Sequence, residues 1–219
     1  MMRWVVTGPV GAGKSLFTSE LARLGAGVVD GDQLGHEILE RTDIISAIGA
    51  EFGLKYTTDG VVDRAALGRL VFGEPEKLAA LDALTHGPLS ELASQRLDAL
   101  ERRGGPPLAV LDAAVYFLLP PVPGIELVVT VTAAEEIRIG RLTAGGVLDL
   151  AQATARVHAQ RVMTAGWDRA DLVLANDGST ADLEHAAGLL WERLEDETCP
   201  GANISGVEKR IPPEGAKDS

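Results

Sequence analysis

Eight residues near the start of the chain, Gly8-Pro9-Val10-Gly11-Ala12-Gly13-Lys14-Ser15, limit its fold more than any other stretch. They follow an apolar run, Trp4-Val5-Val6, and precede a helical pattern from Leu16 to Leu24. Strand, glycine turn and helix form the context in which G-x-x-x-x-G-K-[ST] binds phosphate. Glycines at 8, 11 and 13 permit backbone angles and close approaches that a Cβ would forbid. Successive N–H groups ending at a helix N-terminus make a nest for nucleotide phosphates. Lys14 is expected to reach the β- and γ-phosphates, and the Ser15 hydroxyl to hold Mg²⁺. Pro9 has no N–H, so the cradle falls to the later amides. A chance match arises in about 1% of chains of this length.

Four further apolar runs read as buried parallel strands: Gly27-Val28-Val29, Leu108 to Leu111, Leu127 to Val131, and Leu172-Val173-Leu174. Helical patterns separate most of them. The expected class is therefore α/β, a phosphate-loop fold with a five-stranded parallel sheet covered on both faces. Thr132-Ala-Ala-Glu135 and Ser179-Thr-Ala-Asp182 have the form of capping boxes and predict helix starts. Right-handed crossovers gather the strand ends on one edge, beside the phosphate loop.

The long gap between the second and third runs carries only helical patterns, around 34–50, 63–72 and 75–103. Turn signals at 53–62 and at His86-Gly87-Pro88 interrupt them. The expected organisation is a core of 1–33 and 106–197, a helical acceptor-binding insertion at 34–105, and a lid at about 138–165. From Thr198 the periodicity stops, and Pro200, Gly201, Pro212, Pro213 and Gly215 predict a disordered tail over 198–219.

At 219 residues, one α/β domain with a sizeable core is expected. Twenty basic against 32 acidic residues give a net charge of −12, which opposes non-specific binding to nucleic acid or to anionic membrane. The single cysteine, Cys199, excludes an internal disulfide and fits a reducing, cytoplasmic setting. No run approaches the ~20 apolar residues of a membrane span. A monomer or small homo-oligomer is expected.

Asp30-Gly31-Asp32 directly follows the second strand, on the edge that carries the phosphate loop. A phosphotransferase needs a group there to orient an acceptor hydroxyl and take its proton, and an Asp with a pKa near ~3.9 is ionised at neutral pH. Strand alternation points Asp30 and Asp32 the same way, so spacing does not choose between them. Asp112 ends the 108–111 strand in the manner of a Walker B carboxylate and is expected to hold Mg²⁺. Arg138 and Arg141 share a helix face before Gly145-Gly146, with Arg156 and Arg161 beyond. Arginines flanking a mobile segment suit a lid that neutralises the transferred phosphoryl group. The four histidines have no metal-ligand spacing with Cys199; His86 stands out at the break in the long helical pattern.

These blocks together resemble the dephospho-CoA kinase family. The resemblance runs in order from about residue 3 to 195. It is carried by the phosphate loop, Val28 to Asp32, Val62-Asp63-Arg64-Ala65-Ala66-Leu67 through Phe72, and His86. Asp112 with Phe117, Arg156-Val157-His158-Ala159-Gln160, and Ala170 to Gly178 complete it. Many small-molecule kinases share the first block; the Asp63-Arg64 and Ala170–Gly178 blocks are more specific. The resemblance implies transfer from MgATP to the 3′-hydroxyl of dephospho-CoA, the last step of coenzyme A synthesis. It implies Asp32 as the catalytic carboxylate, with Lys14 and Arg141 acting on the phosphates. ATP contacts would come from Gly8, Gly11, Ala12, Gly13, Lys14, Ser15, Leu16 and Asn176. The acceptor would meet Asp32, Arg64 and His86, and the metal Ser15 and Asp112.

The chain departs from the family pattern at several places. Gly87 separates His86 from Pro88, Ala114 and Leu118 replace a Pro and a Glu after Asp112, and Gly145-Gly146 replaces a second lid arginine. These changes touch the acceptor pocket and the lid, and leave the nucleotide loop intact. Two other readings share the motifs: a kinase for another nucleoside or small alcohol, and a nucleotide-binding regulator without transfer.

Overall fold

The computed structural model describes residues 1–102, 104–144, 146, 148–160 and 166–197. Gly145, Arg161 and the segment from Thr198, to which the lid and tail expectations partly refer, lie outside them. All five expected strands form: β1 (Met2–Thr7), β2 (Gly27–Asp30), β3 (Leu108–Asp112), β4 (Leu127–Thr132) and β5 (Leu172–Ala175). They make one parallel sheet in the order β2-β3-β1-β4-β5. Val6 pairs with Asp112, and Asp30 with Asp112 on the other side, so three strand ends meet at one edge.

Alternation along β1 divides the core. Val5, with Ala109 and Leu111, faces one side of the sheet; Trp4 and Val6, with Leu108 and Val110, face the other. On the first side pack α2 (Gly31–Leu39), α3 (Thr42–Phe52), α4 (Arg64–Gly73) and α5 (Pro75–Arg102). On the second pack α1 (Lys14–Leu24), through Phe17 and Leu21, and α8 (Thr180–Glu197), through Leu183, Trp191 and Leu194. Each such fully buried side chain contributes about 1.5–3 kcal/mol relative to exposure. α6 (Glu135–Ala144) and α7 (Leu150–Ala159) follow β4.

The long connection between β2 and β3 is helical as expected, with short 3-10 turns at Leu54–Tyr56 and Thr58–Gly60. One expectation fails there. The chain does not turn at His86-Gly87-Pro88: α5 runs unbroken for 28 residues with Pro88 inside it. Proline costs the N–H bond to residue 84, yet Leu89, Ala93 and Leu97 continue the buried stripe beyond it. That burial outweighs one missing bond. The pattern read as one helix over 34–50 is two helices, α2 and α3, parted at Glu40-Arg41.

Of the two expected capping boxes, Ser179–Asp182 forms: Asp182 Oδ2 accepts from the Ser179 N–H and hydroxyl, each at 2.8 Å, and Ser179 Oγ accepts from Asp182 N at 3.3 Å. Thr132-Ala-Ala-Glu135 marks the start of α6 correctly, but the Thr132 hydroxyl donates to Leu174 O at 3.4 Å. Thr132 still belongs to β4, and the Ala134 N–H is taken instead by Asp177 Oδ1 at 2.7 Å. Among the described residues, no helix is long and apolar enough to cross a membrane.

Candidate active site

The phosphate loop leaves the middle strand of the sheet and enters α1 at Lys14. Gly13 precedes the helix at φ 100°, a left-handed angle, and a Cβ there would lie 2.3 Å from Asn176 Nδ2. Only glycine fits both constraints. Asn176 is buried and braces the loop from beneath: Nδ2 donates to Ala12 O at 2.7 Å, and its own backbone N–H donates to Thr132 O at 2.7 Å. Lys14 Nζ makes an ion pair with Asp112 Oδ1 at the end of β3. Ser15, next in α1, is exposed. Leu16 points to the α1–α8 core and packs there.

Asp30 and Asp32 have different settings. β2 ends at Asp30, whose Oδ1 accepts from Asp32 N at 2.9 Å and Gln33 N at 3.1 Å and so caps α2. Asp32 lies in the first turn of that helix, not in the strand, so alternation does not govern it. Its carboxylate is exposed into the site. A Cβ on Gly31 would come 2.7 Å from Asp112 O, which holds the start of α2 tight against the end of β3. Asp32 and Asp112 are thereby brought to the same edge.

Two clefts meet at this edge. One, of about 1170 Å³, is lined by the loop residues Gly8 to Ser15 except Ala12, and by Asp32, Arg141, Arg156 and Gln160. The other, of about 880 Å³, lies between α2 and α5 and is lined by His36, Leu39, Leu81, Asp82, His86 and Leu89 among others. Asp32 and Val115 line both. In the second cleft His86 Nε2 lies 3.3 Å from Asp82 Oδ1, one helical turn back along α5.

Of the two α6 arginines expected on one face, Arg141 reaches the cleft and Arg138 does not. Arg138 is buried at 7% exposure. Arg141 donates toward Gly11 O (3.4 Å), Ala12 O (3.5 Å), Asn176 Oδ1 (3.5 Å) and Gly178 O (3.2 Å). α7 begins with a complete capping box, Asp149 with Gln152, and its His158 Nε2 lies 2.9 Å from Glu135 Oε1 on α6. At its end Gln160 Oε1 accepts from the Val10 N–H at 2.7 Å.

The loop, Asp32, Asp112 and Arg141 thus come together, and His86 stands in the adjoining cleft. Arg64 does not join them: it is exposed at the start of α4, outside the lining of both clefts, while Asp63 caps that helix through Ala66 N at 2.9 Å. Asp82 escaped the sequence reading, and Gln160 entered it only within the Arg156–Gln160 block, with no role of its own. The available signal was helical spacing, four residues before His86 and four after Arg156.

The sequence and the fold have counterparts among known proteins. The family model described as dephospho-CoA kinase matches residues 4–182. A dephospho-CoA kinase of Geobacter sulfurreducens is 34% identical over 190 residues, 86% of this chain and 96% of that one. The crystal structure of TT1252 from Thermus thermophilus matches with a TM-score of 0.70 and 32% identity, covering 88% of this chain and 97% of that one. A Campylobacter jejuni dephospho-CoA kinase, 22% identical with a TM-score of 0.55, covers 88% and 96% and shows the shared fold.

Proposed function

Because the chain belongs to the dephospho-CoA kinase family, we propose that it transfers the γ-phosphoryl group of ATP to the 3′-hydroxyl of dephospho-CoA, completing coenzyme A. The observation that carries this reading is the position of Asp32, the carboxylate that lines both the phosphate cleft and the cleft between α2 and α5. A donor in one cleft and an acceptor in the other would meet at that side chain.

The geometry supports the following roles. Amides of the loop from Gly11 onward receive the phosphates, and Lys14 and Arg141 offset their charge. Asp32 orients the acceptor hydroxyl and takes its proton late, as suits a loose transition state. The cleft between α2 and α5 takes the acceptor, with His86 beside it, and α6–α7 act as the lid. Arg64 reaches the acceptor only by a movement of α4.

Mg²⁺ fits the residues present. An exposed hydroxyl, Ser15, and a strand-end carboxylate, Asp112, with one oxygen on Lys14, are the sparse oxygen set this ion takes alongside phosphate and water. When bound it would supply charge neutralisation on the β- and γ-phosphates. The protein works in the cytoplasm, where its single cysteine stays reduced.

The test is incubation of the purified protein with MgATP and dephospho-CoA, following ADP and coenzyme A together, beside a panel of other alcohols including shikimate and adenosine. Coenzyme A formed in step with ADP is the expected result. ATP binding with no transfer to any acceptor would refute the reading.

A further inference from the structure

The contact between Gln160 and Val10 links the lid side of the cleft to the phosphate loop, and the roles above leave it unused. Gln160 follows α7 directly, is half-buried, and lines the phosphate cleft beside Lys14, Arg141 and Arg156. Its Oε1 accepts from the Val10 N–H at 2.7 Å, across 150 residues of sequence. A backbone N–H can only donate, so the amide oxygen must face Val10. The amide nitrogen, with its two donors, is then turned to the other side. Among the described residues no hydrogen bond uses those donors.

Two properties make this more than a packing contact. Pro9 has no N–H and Val10 has given its own to Gln160, so the first amides of the loop are not available to phosphate. The anion there must find a donor elsewhere. α7, moreover, has a defined start in the Asp149–Gln152 box, and its His158 meets Glu135 of α6. Gln160 is thus tied to both helices of the α6–α7 lid and is carried with it to the phosphate loop.

We propose that Gln160 is a further phosphate-site residue, its Oε1 fixing the loop at Val10 and its Nε2 donating to the phosphoryl group in transfer. No proton is moved and no bond to Gln160 is made; the side chain supplies a neutral donor where negative charge spreads over the equatorial oxygens. The inference rests on the kinase reading above.

Two variants of the full chain separate the parts. Gln160→Met keeps the length and removes both polar ends. Turnover with dephospho-CoA should fall roughly 10- to 150-fold, the worth of one hydrogen bond to a charged group, with ATP affinity within about 3-fold of wild type. The Val10 amide, followed by NMR hydrogen exchange, should lose its protection. Gln160→Glu keeps the acceptor for Val10 but sets a carboxylate where the donors were. Val10 should stay protected while turnover falls at least as far.

Native turnover in Gln160→Met, or in Gln160→Glu, would overturn the proposal, as would a loss confined to ATP affinity. If Gln160→Met does not fold, by circular dichroism, the Glu variant decides alone. Wild-type turnover tests the kinase reading by itself, whereas Val10 exchange needs no turnover at all.

Discussion

Asp30 and Asp32 stand two residues apart on the same edge, one capping α2 and the other lining both clefts. Replacing each by Asn therefore makes a paired experiment. Asp30 Oδ1 holds two backbone N–H groups at the start of α2. An Asn side chain retains an oxygen for them, so Asp30→Asn should cost a few tenths of a kcal/mol, whereas Asp30→Ala should cost about 1 kcal/mol. In a chain of this size 1 kcal/mol moves the melting temperature by roughly 2–4 °C. Asp32 caps nothing, and its carboxylate is exposed. The stability lost in Asp32→Asn is that of one charge in a first helical turn, about 0.3–1 kcal/mol. Its turnover should fall by about 10²–10⁴-fold, the usual contribution of a general base. The assays are coupled ADP release with dephospho-CoA, ATP binding by calorimetry, and thermal melting. The expected pattern separates the two in turnover: Asp30→Ala melts lower with near-native turnover, Asp32→Asn melts no lower than Asp30→Ala yet has little turnover, and both bind ATP. Equal and small losses of turnover in both Asn variants would refute the assignment and move the chemistry elsewhere.

Other outcomes follow from the same geometry. Lys14→Ala should reduce transfer to background while the circular dichroism spectrum stays native; unchanged turnover would remove the loop from the mechanism. Arg141→Ala should lower turnover by about 10- to 100-fold, with a smaller effect on ATP binding; an effect on binding alone would make Arg141 a ground-state contact. Pro88→Ala restores a helical hydrogen bond in α5 and should raise the melting temperature by a few degrees; a decrease would show that a kink at Pro88 is built into the packing. Hydrogen bonds from the backbone and hydroxyl of Ser179 hold the Asp182 carboxyl below the usual carboxylate range. A lowered folded-state pKa stabilises above the unfolded pKa, and that stability is lost as pH falls toward the folded value. Melting of Asp182→Asn should therefore depend less on pH across the carboxylate range than wild type does.

The sheet was legible because buried parallel strands are short apolar runs, and each of the five carried one of three to five residues. The phosphate loop was legible because its backbone geometry admits so few residues. What the sequence did not disclose depends on register and on single side chains. Whether Asp32 continues a strand or begins a helix turns on where β2 stops, and one residue decides it. Asp82 on α5 and Gln160 just past α7 are polar residues whose roles cannot be told by pattern from solvated surface until the opposing element is in place. Pro88 misled because its local cost is visible in the sequence, while the stripe from Leu89 to Leu97 that offsets it shows only against the sheet.

The order of strands also sets a timetable for synthesis. β1 is made first but lies between β3 and β4, with Trp4 paired to Val110 and to Leu127, 106 and 123 residues later. At about 5–20 residues per second, a ribosome needs roughly 6–25 s to deliver the second partner. Asn176, whose side chain underpins Ala12, comes later still, 164 residues after it. A nascent chain therefore carries the complete Gly8–Ser15 segment for most of its elongation with nothing to hold it in shape. Nucleotide affinity should arrive late and abruptly, once the segment that carries Asn176 clears the exit tunnel.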